Sequence, residues 1–119
     1  MPAFGREGMM KRADIETVAD YVRSIAGLSV DPKADVVAGR KLFLDNCAAC
    51  HGDNGKGKRD LGAPDLTDKI WLYGSEKDTI VDGLWNGRGG VMPAWAGRLD
   101  DTTIKALTVY VHTLGGGER

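Results

Sequence analysis

Residues 47–51 read Cys47-Ala48-Ala49-Cys50-His51. They hold both cysteines of the 119-residue chain and one of its two histidines. C-x-x-C-H is the spacing of covalent haem c attachment. Two thiols about one helical turn apart add to the two vinyl groups on one side of a porphyrin, and the next residue turns its imidazole toward the iron. Three other chemistries compete for cysteines set this close. A zinc site needs about four ligands. The chain offers only Cys47, Cys50, His51 and His112, and adjacent Cys50 and His51 do not easily share one tetrahedron. A thioredoxin-like dithiol needs a strand before the motif, whereas the residues before Cys47 read as helix. A plain disulfide at this spacing is strained and closes almost no loop. The motif therefore predicts one haem c, bonded through Cys47 and Cys50, with His51 as an axial ligand.

On the N-terminal side, residues 35–46 predict a helix with Val36, Gly39, Leu42 and Phe43 along one face, and Gly39 lets another backbone come close. Further back, Asp14 is a candidate N-cap for a helix near 14–26. Its stripe is Ile15, Val18, Val22 and Ile25, with Tyr21 beside it, and Gly27 is its stop. Residues 28–34 read as a linker, because Asp31-Pro32 resists helix. On the C-terminal side, residues 52–66 are a Gly-rich loop, followed by a short helical turn at 68–73. Ser75 is the expected cap of a helix that buries Ile80, Val81, Leu84 and Trp85 and ends at Asn86-Gly87. Residues 88–99 are loop. The last helix runs from Asp100 or Asp101 to Leu114, with Ile104, Leu107, Val111 and Leu114 as its stripe, Tyr110 beside it and Gly115-Gly116-Gly117 as its stop. No stretch alternates with period two. The expectation is an all-α fold whose long loops wrap a large apolar disc, since such loops inside a small domain need something to pack on.

Composition agrees with a small soluble domain: 42% apolar, 28% charged, formal charge −1. Without a basic excess there is no electrostatic footprint for nucleic acid. No apolar run approaches the roughly 18 residues of a bilayer span, so no membrane contact is expected from this chain itself. The opening residues MPAFGREGMMKR lack the apolar core of a secretory leader. Three Trp, three Tyr and two Phe make a modest core, which fits a domain stapled by a cofactor.

The chain also contains a partial repeat. Met1-Pro2-Ala3-Phe4 matches Met92-Pro93-Ala94-Trp95. The helices that follow match at a constant offset of 89: Ile15 with Ile104, Val18 with Leu107, Tyr21 with Tyr110, Val22 with Val111, Ile25 with Leu114. Two amphipathic helices can coincide this far by chance. The sharper reading takes residues 1–30 as the tail of a preceding repeat plus linker, and residues 31–119 as a monohaem domain. The stripe of residues 1–30 is expected to dock on the rest of the chain or pair with a second copy, rather than fray into disorder behind the Asp31-Pro32 linker.

The iron's sixth ligand comes from Met1, Met9, Met10, Met92 or His112. Met92 stands out. It lies in a loop between two helices, Gly89-Gly90 lets the chain pass close to a ring, and Pro93 restricts the local backbone. His112 falls off its helix's apolar stripe and reads as a surface residue.

Residues 35–117 resemble a class I cytochrome c domain: a first helix with Gly39 and Phe43, then CAACH, a Gly-Pro loop, a Met-Pro loop and a last helix with Tyr110. The resemblance implies that the first and last helices cross, placing Gly39 and Phe43 against Leu107 and Tyr110. It also implies that the Pro64 carbonyl accepts a hydrogen bond from Nδ1 of the proximal His51. HGDNGKG, GAPDLTDKIWLYG and NGRGGVMPAW look more specifically like the second cytochrome domain of the dihaem subunit (the CcoP/FixP family) of cbb3-type cytochrome c oxidases. Residues 1–27 then look like the end of its first domain.

What the resemblance implies is single-electron transfer through a His/Met-ligated haem, feeding a terminal oxidase, with no catalysis by the chain alone. Partners would be the oxidase catalytic subunit and other cytochromes c. The location would be periplasmic, in a parent attached to the bacterial inner membrane. Three readings compete. A haem-based gas sensor needs Met92 to leave readily. A stand-alone periplasmic electron carrier leaves the partial repeat unexplained. A peroxidase needs an open distal position and a distal acid–base group. Asp53, Lys56, Lys58 and Arg59 form a charged loop that reads equally as docking rim or as solubilising surface.

Overall fold

The computed structural model describes residues 1–114, so the expected stop at Gly115-Gly116-Gly117 lies outside the described residues. Five α-helices carry the regular structure: α1 Arg12–Ile25, α2 Val36–Asn46, α3 Ala48–His51, α4 Lys77–Asn86 and α5 Asp101–Thr113, with a single 3-10 turn at Arg59–Leu61. Among the described residues the only β-type pairing is one isolated bridge between Lys58 and Ala63. The chain divides into two compact units, Met1–Gly89 and the residues from Gly90 on. This packing boundary does not coincide with the repeat boundary expected at residue 30.

The first unit is built on α1. Its stripe repeats every three to four residues and turns inward: Ile15, Val18 and Ala19 are fully buried, and Tyr21 and Val22 nearly so. The stripe packs against α2 and α4. The point of closest approach is Gly39. A Cβ there would lie 2.6 Å from the Thr17 carbonyl oxygen and 2.7 Å from Tyr21 Cβ, so only glycine admits α1 at this depth. One turn on, the rings of Tyr21 and fully buried Phe43 meet at 5.3 Å and 55°, a tilted arrangement that adds about 0.5–1.5 kcal/mol beyond area burial.

Two polar anchors tie α1 to the start of α4. Lys77 Nζ donates to Asp20 Oδ2 at 2.7 Å, and the Arg23 guanidinium donates to the Ser75 carbonyl. The Lys77 side chain is 40% exposed, so screening limits that ion pair to about 1 kcal/mol or less. Ahead of α1, the first ten residues fold back over the far end of α4. Phe4 and Met10 are buried, Arg6 N–H donates to the Trp85 carbonyl at 3.1 Å, and Arg88 N–H donates to the Met1 carbonyl at 3.2 Å.

Several expectations change here. The face of Gly39 and Phe43, expected for Leu107 and Tyr110 of the last helix, is taken by Thr17 and Tyr21 of α1. The stripe of residues 1–30 is spent within the chain, which leaves it unavailable for pairing between copies. Helix α1 begins two residues before Asp14, after Lys11 and without a side-chain cap; Asp14 sits in the first turn, where its charge suits the helix dipole. Ser75 is not the cap of α4. That position is Glu76, which makes no side-chain cap hydrogen bond. Residues 68–73 form bends rather than a helical turn, since Asp68 Oδ1 accepts from Ile70 N–H at 2.9 Å and competes for the backbone.

The second unit is simpler. Asp100 caps α5, its carboxylate accepting from Thr103 N–H at 2.8 Å and from the Thr103 hydroxyl at 3.0 Å. The same bonds hold the Asp100 carboxyl below the usual carboxylate range. Helix α5 has no fully buried residue.

Phe43→Ala should cost about 3–5 kcal/mol, the range for emptying a packed aromatic site. Chemical denaturation followed by far-ultraviolet circular dichroism measures it, and a loss near zero would mean that α1 and α2 do not share this core.

Candidate functional site

Cys47 closes α2: its N–H donates to the Phe43 carbonyl at 2.7 Å. Helix α3 then turns Cys50 and His51 back over Cys47, with both N–H groups donating to the Cys47 carbonyl at 3.1 and 2.9 Å. The motif thus makes one turn, as the chemistry requires. The two thiols differ sharply. Cys47 is buried and Cys50 exposed. Burial, aided by the neighbouring Cys50, pushes the Cys47 thiol up to about 11.

His51 is half-buried, and its Nδ1 stands 3.1 Å from the Pro64 carbonyl oxygen. A carbonyl can only accept, so Nδ1 carries the proton and Nε2 is left with a free lone pair, the tautomer that a metal ligand needs. The Gly-rich loop is the device that delivers Pro64. Gly57 N–H donates to the His51 carbonyl at 2.7 Å, and Lys58 and Ala63 exchange both backbone hydrogen bonds at 3.0 Å. Gly57 has φ +80, and a Cβ there would lie 2.4 Å from the Ala63 oxygen and 2.8 Å from the Pro64 oxygen. Any side chain would therefore push away the carbonyl that orients His51. Beyond Pro64, Asp65 Oδ1 accepts from Thr67 N–H at 2.7 Å and from the Thr67 hydroxyl at 2.6 Å. These bonds, with Lys56 nearby, hold the Asp65 carboxyl below its ordinary range.

Lys56 and Lys58, which the sequence leaves equally as docking rim or solubilising surface, reach into this loop. Lys56 Nζ donates to the Thr67 hydroxyl at 2.6 Å, and Lys58 Nζ to the Ala49 carbonyl at 2.9 Å. Both therefore brace the haem-motif loop while staying exposed. Gly57 and the two lysines were missed as site-builders, although the spacing Gly52, Gly55, Gly57 signals a loop of tight turns.

Individual residues of this unit have chemistry that suits a haem. Trp71 Nε1 is buried and has no hydrogen-bond partner among the described residues, a donor that an anionic group on a bound ligand can satisfy. Leu61, Ile70 and Leu72 expose apolar side chains of the kind an apolar ring covers. The zinc alternative finds no support: among the described residues no three or more His, Cys, Asp and Glu side chains gather as a metal cage.

Met92 belongs to the second unit and is 82% exposed. With Trp95, Leu99, Ile104, Leu107 and Val111 it lines an apolar hollow of about 500 Å³ in that unit. Arg98 N–H and Leu99 N–H both donate to the Trp95 carbonyl, which ties the Met92 loop to the start of α5. Of the other ligand candidates, Met10 is buried in the core of the first unit, Met1 and Met9 are exposed, and His112 is exposed on α5. Among the described residues no helix is long and apolar enough to cross a membrane.

Residues 34–111 match the family model described as cytochrome c oxidase, cbb3-type, subunit III. Similar curated proteins include the cbb3-type cytochrome c oxidase subunit FixP of Bradyrhizobium sp. (strain ORS 278), 61% identical over 118 residues, covering 99% of this chain and 41% of that protein. The subunit CcoP of Azospirillum sp. (strain B510) is 50% identical over 123 residues, with 99% and 41% covered. That of Cereibacter sphaeroides is 48% identical over 118 residues, with 99% and 40% covered. The chain spans about two fifths of the length of the curated relatives it matches.

In haem-free protein, iodoacetamide should modify Cys50 well before Cys47. With its thiol near 11, Cys47 is ionised in about one molecule in a thousand at about pH 8. Below about pH 9 it is neutral both folded and unfolded. Between about pH 9 and about pH 11 the unfolded chain ionises first, so this residue's share of stability falls with rising pH. Equal alkylation of the two cysteines, mapped by peptide mass spectrometry, would show that the haem-free chain does not hold the α2–α3 junction.

Proposed function

The chain belongs to the family of subunit III of cbb3-type cytochrome c oxidases, and on that footing we propose that it passes single electrons through one covalent haem c within such an oxidase. In this reading Cys47 and Cys50 form the two thioethers, His51 Nε2 and Met92 Sδ are the axial ligands, and the Pro64 carbonyl orients His51. When bound, a haem c supplies one-electron chemistry at an iron whose potential a methionine ligand raises.

The observation that carries the proposal is the His51–Pro64 pair at 3.1 Å. It follows directly on two thiols carried by one helical turn and leaves Nε2 of His51 free of that bond. Every supporting residue has a role in holding that arrangement. Phe43 anchors the start of the motif, Gly57 admits the Pro64 carbonyl, and Lys58 and Asp65 brace the two arms of the loop. Trp71 offers a donor for an anionic edge. Limited rearrangement on gain or loss of an electron is the structural requirement of a carrier, and a loop cross-linked by this many short hydrogen bonds meets it.

With both axial positions taken by protein, the chain is not catalytic by itself. Its partners are the oxidase's catalytic subunit and other cytochromes c. It works on the periplasmic side, within a parent attached to the bacterial inner membrane. Residues 1–30 are the tail of a preceding cytochrome repeat, and residues 31–119 the monohaem domain.

Matured with a haem-attachment system, the protein should keep its colour through acid–acetone extraction, with an intact mass corresponding to one haem per chain. The oxidised form should show the weak long-wavelength band of iron–sulfur ligation. Met92→Ala should abolish that band and His112→Ala should leave it unchanged. Colour passing into the organic phase would remove the covalent reading, and loss of low-spin character on His112→Ala would reassign the ligand.

A further inference from the structure

We propose that Lys58 is a positioning residue for the one-electron reaction: its ammonium locks the turn that carries Cys47, Cys50 and His51 to the arm that carries Pro64, and its charge, fixed on that turn, holds a bound haem toward the reduced form. The inference rests on the covalent haem of the proposed function. It does not depend on which residue is the sixth ligand.

The first observation is how the carbonyls of the motif are met. A helix of one turn has no internal donors for its last carbonyls. The Cys47 carbonyl receives Cys50 and His51 N–H, the Ala48 carbonyl receives Gly52 N–H at 2.8 Å, and the His51 carbonyl receives Gly57 N–H at 2.7 Å. The Ala49 carbonyl lies between the two cysteines and receives a side chain: Lys58 Nζ donates to it at 2.9 Å from nine residues away. A cation over the carbonyl end of a helical turn also suits the helix dipole.

The second observation is how Lys58 itself is held. Its backbone is extended, φ −141 and ψ 115, and it exchanges two hydrogen bonds with Ala63, each at 3.0 Å. Ala63 precedes Pro64, whose carbonyl receives His51 Nδ1 at 3.1 Å. The contacts therefore close a ring: Ala49 to Lys58, Lys58 to Ala63, Pro64 to His51, and His51 back along the chain to Ala49. The side chain of Lys58 is the link that reaches the thiol-bearing turn. Lys56 differs, because its ammonium donates to the Thr67 hydroxyl at 2.6 Å and stands 3.7 Å from the Asp65 carboxylate, so it braces the other arm with a counter-charge beside it. A ferric haem carries one positive charge more than a ferrous one, and a cation fixed on the thiol turn disfavours loss of that electron. No bond forms or breaks in the step: one electron arrives from a donor protein and leaves to an acceptor protein.

Two measurements on the haem-loaded protein test this, a potentiometric titration and amide exchange by NMR in the reduced state. Lys58→Met removes the charge and the donor, Lys58→Glu reverses the charge, and Lys58→Arg keeps both. At low salt Lys58→Met should shift the reduction equilibrium about twofold toward the oxidised form and Lys58→Glu about fourfold, as expected for one and two unit charges roughly 10 Å away in water. Both shifts should shrink at about 0.5 M salt. The amides of Cys50, His51 and Gly52 should lose protection in both variants, and Lys58→Arg should restore potential and protection together. A protein whose mass shows no covalent haem before any substitution removes the reading beneath this one. With haem attached, a Lys58→Met variant that matches the parent in potential and in protection overturns the role of Lys58 alone. Equal shifts in Lys58→Met and Lys58→Glu, or no rescue by Lys58→Arg, would also overturn it, because the effect would then not follow the charge and the donor. Failure of Lys58→Met to retain haem where Lys58→Arg retains it supports the lock, and failure of both overturns it.

Discussion

The first unit depends on the missing side chain at Gly39. With no Cβ, α2 accepts the backbone of α1 so closely that the Thr17 carbonyl oxygen lies 2.6 Å from where that atom would stand. Close crossing is what brings Tyr21 onto Phe43 and buries both. Phe43 in turn accepts the hydrogen bond from Cys47 that ends α2. The position of the first thiol, and of the helical turn carrying the second thiol and His51, follows from that contact. Core packing and site geometry are here one chain of contacts.

The second constraint acts through the loop. A histidine on a one-turn helix has little to fix its ring. The chain fixes it from outside, by folding the Gly-rich segment back until the Pro64 carbonyl reaches Nδ1. Gly57 does for this loop what Gly39 does for the helices: each admits a backbone group where a side chain would collide. Lys58 and Lys56 add bonds across the loop at little cost, since their ammonium groups keep much of their contact with water.

Membership in the cbb3-type subunit III family sets the two repeat-like segments in context. The family match begins at residue 34 and ends at residue 111, so α1 lies before it and α5 almost wholly within it. The packing grouped the chain differently, with α1 joined to α2 and α4. Within that unit the Asp20–Lys77 and Arg23–Ser75 pairs tie α1 to the start of α4.

The sequence alone determined the local features. Periodicity near 3.6 located α1, α2, α4 and α5, because an amphipathic stripe is a property of neighbouring residues. The Cys47–Cys50–His51 spacing carried the expectation of haem attachment, because bonding to two vinyl groups is a covalent constraint written in consecutive residues. Pro64 was legible only through the resemblance to a known family, since nothing in its neighbours announces which histidine its carbonyl will meet. Helix ends were less legible. Ser75 and Asp14 have the chemistry of caps, but Glu76 and Lys11 stand at the cap positions of α4 and α1, neither with a side-chain cap hydrogen bond. What only the tertiary structure decided is which of two matching stripes covers Gly39 and Phe43. Apolar pattern cannot choose between Tyr21 and Tyr110. The contacts that seat Tyr21 on Phe43, and the polar pairs from α1 to α4, join residues far apart in sequence and exist only once the chain has folded.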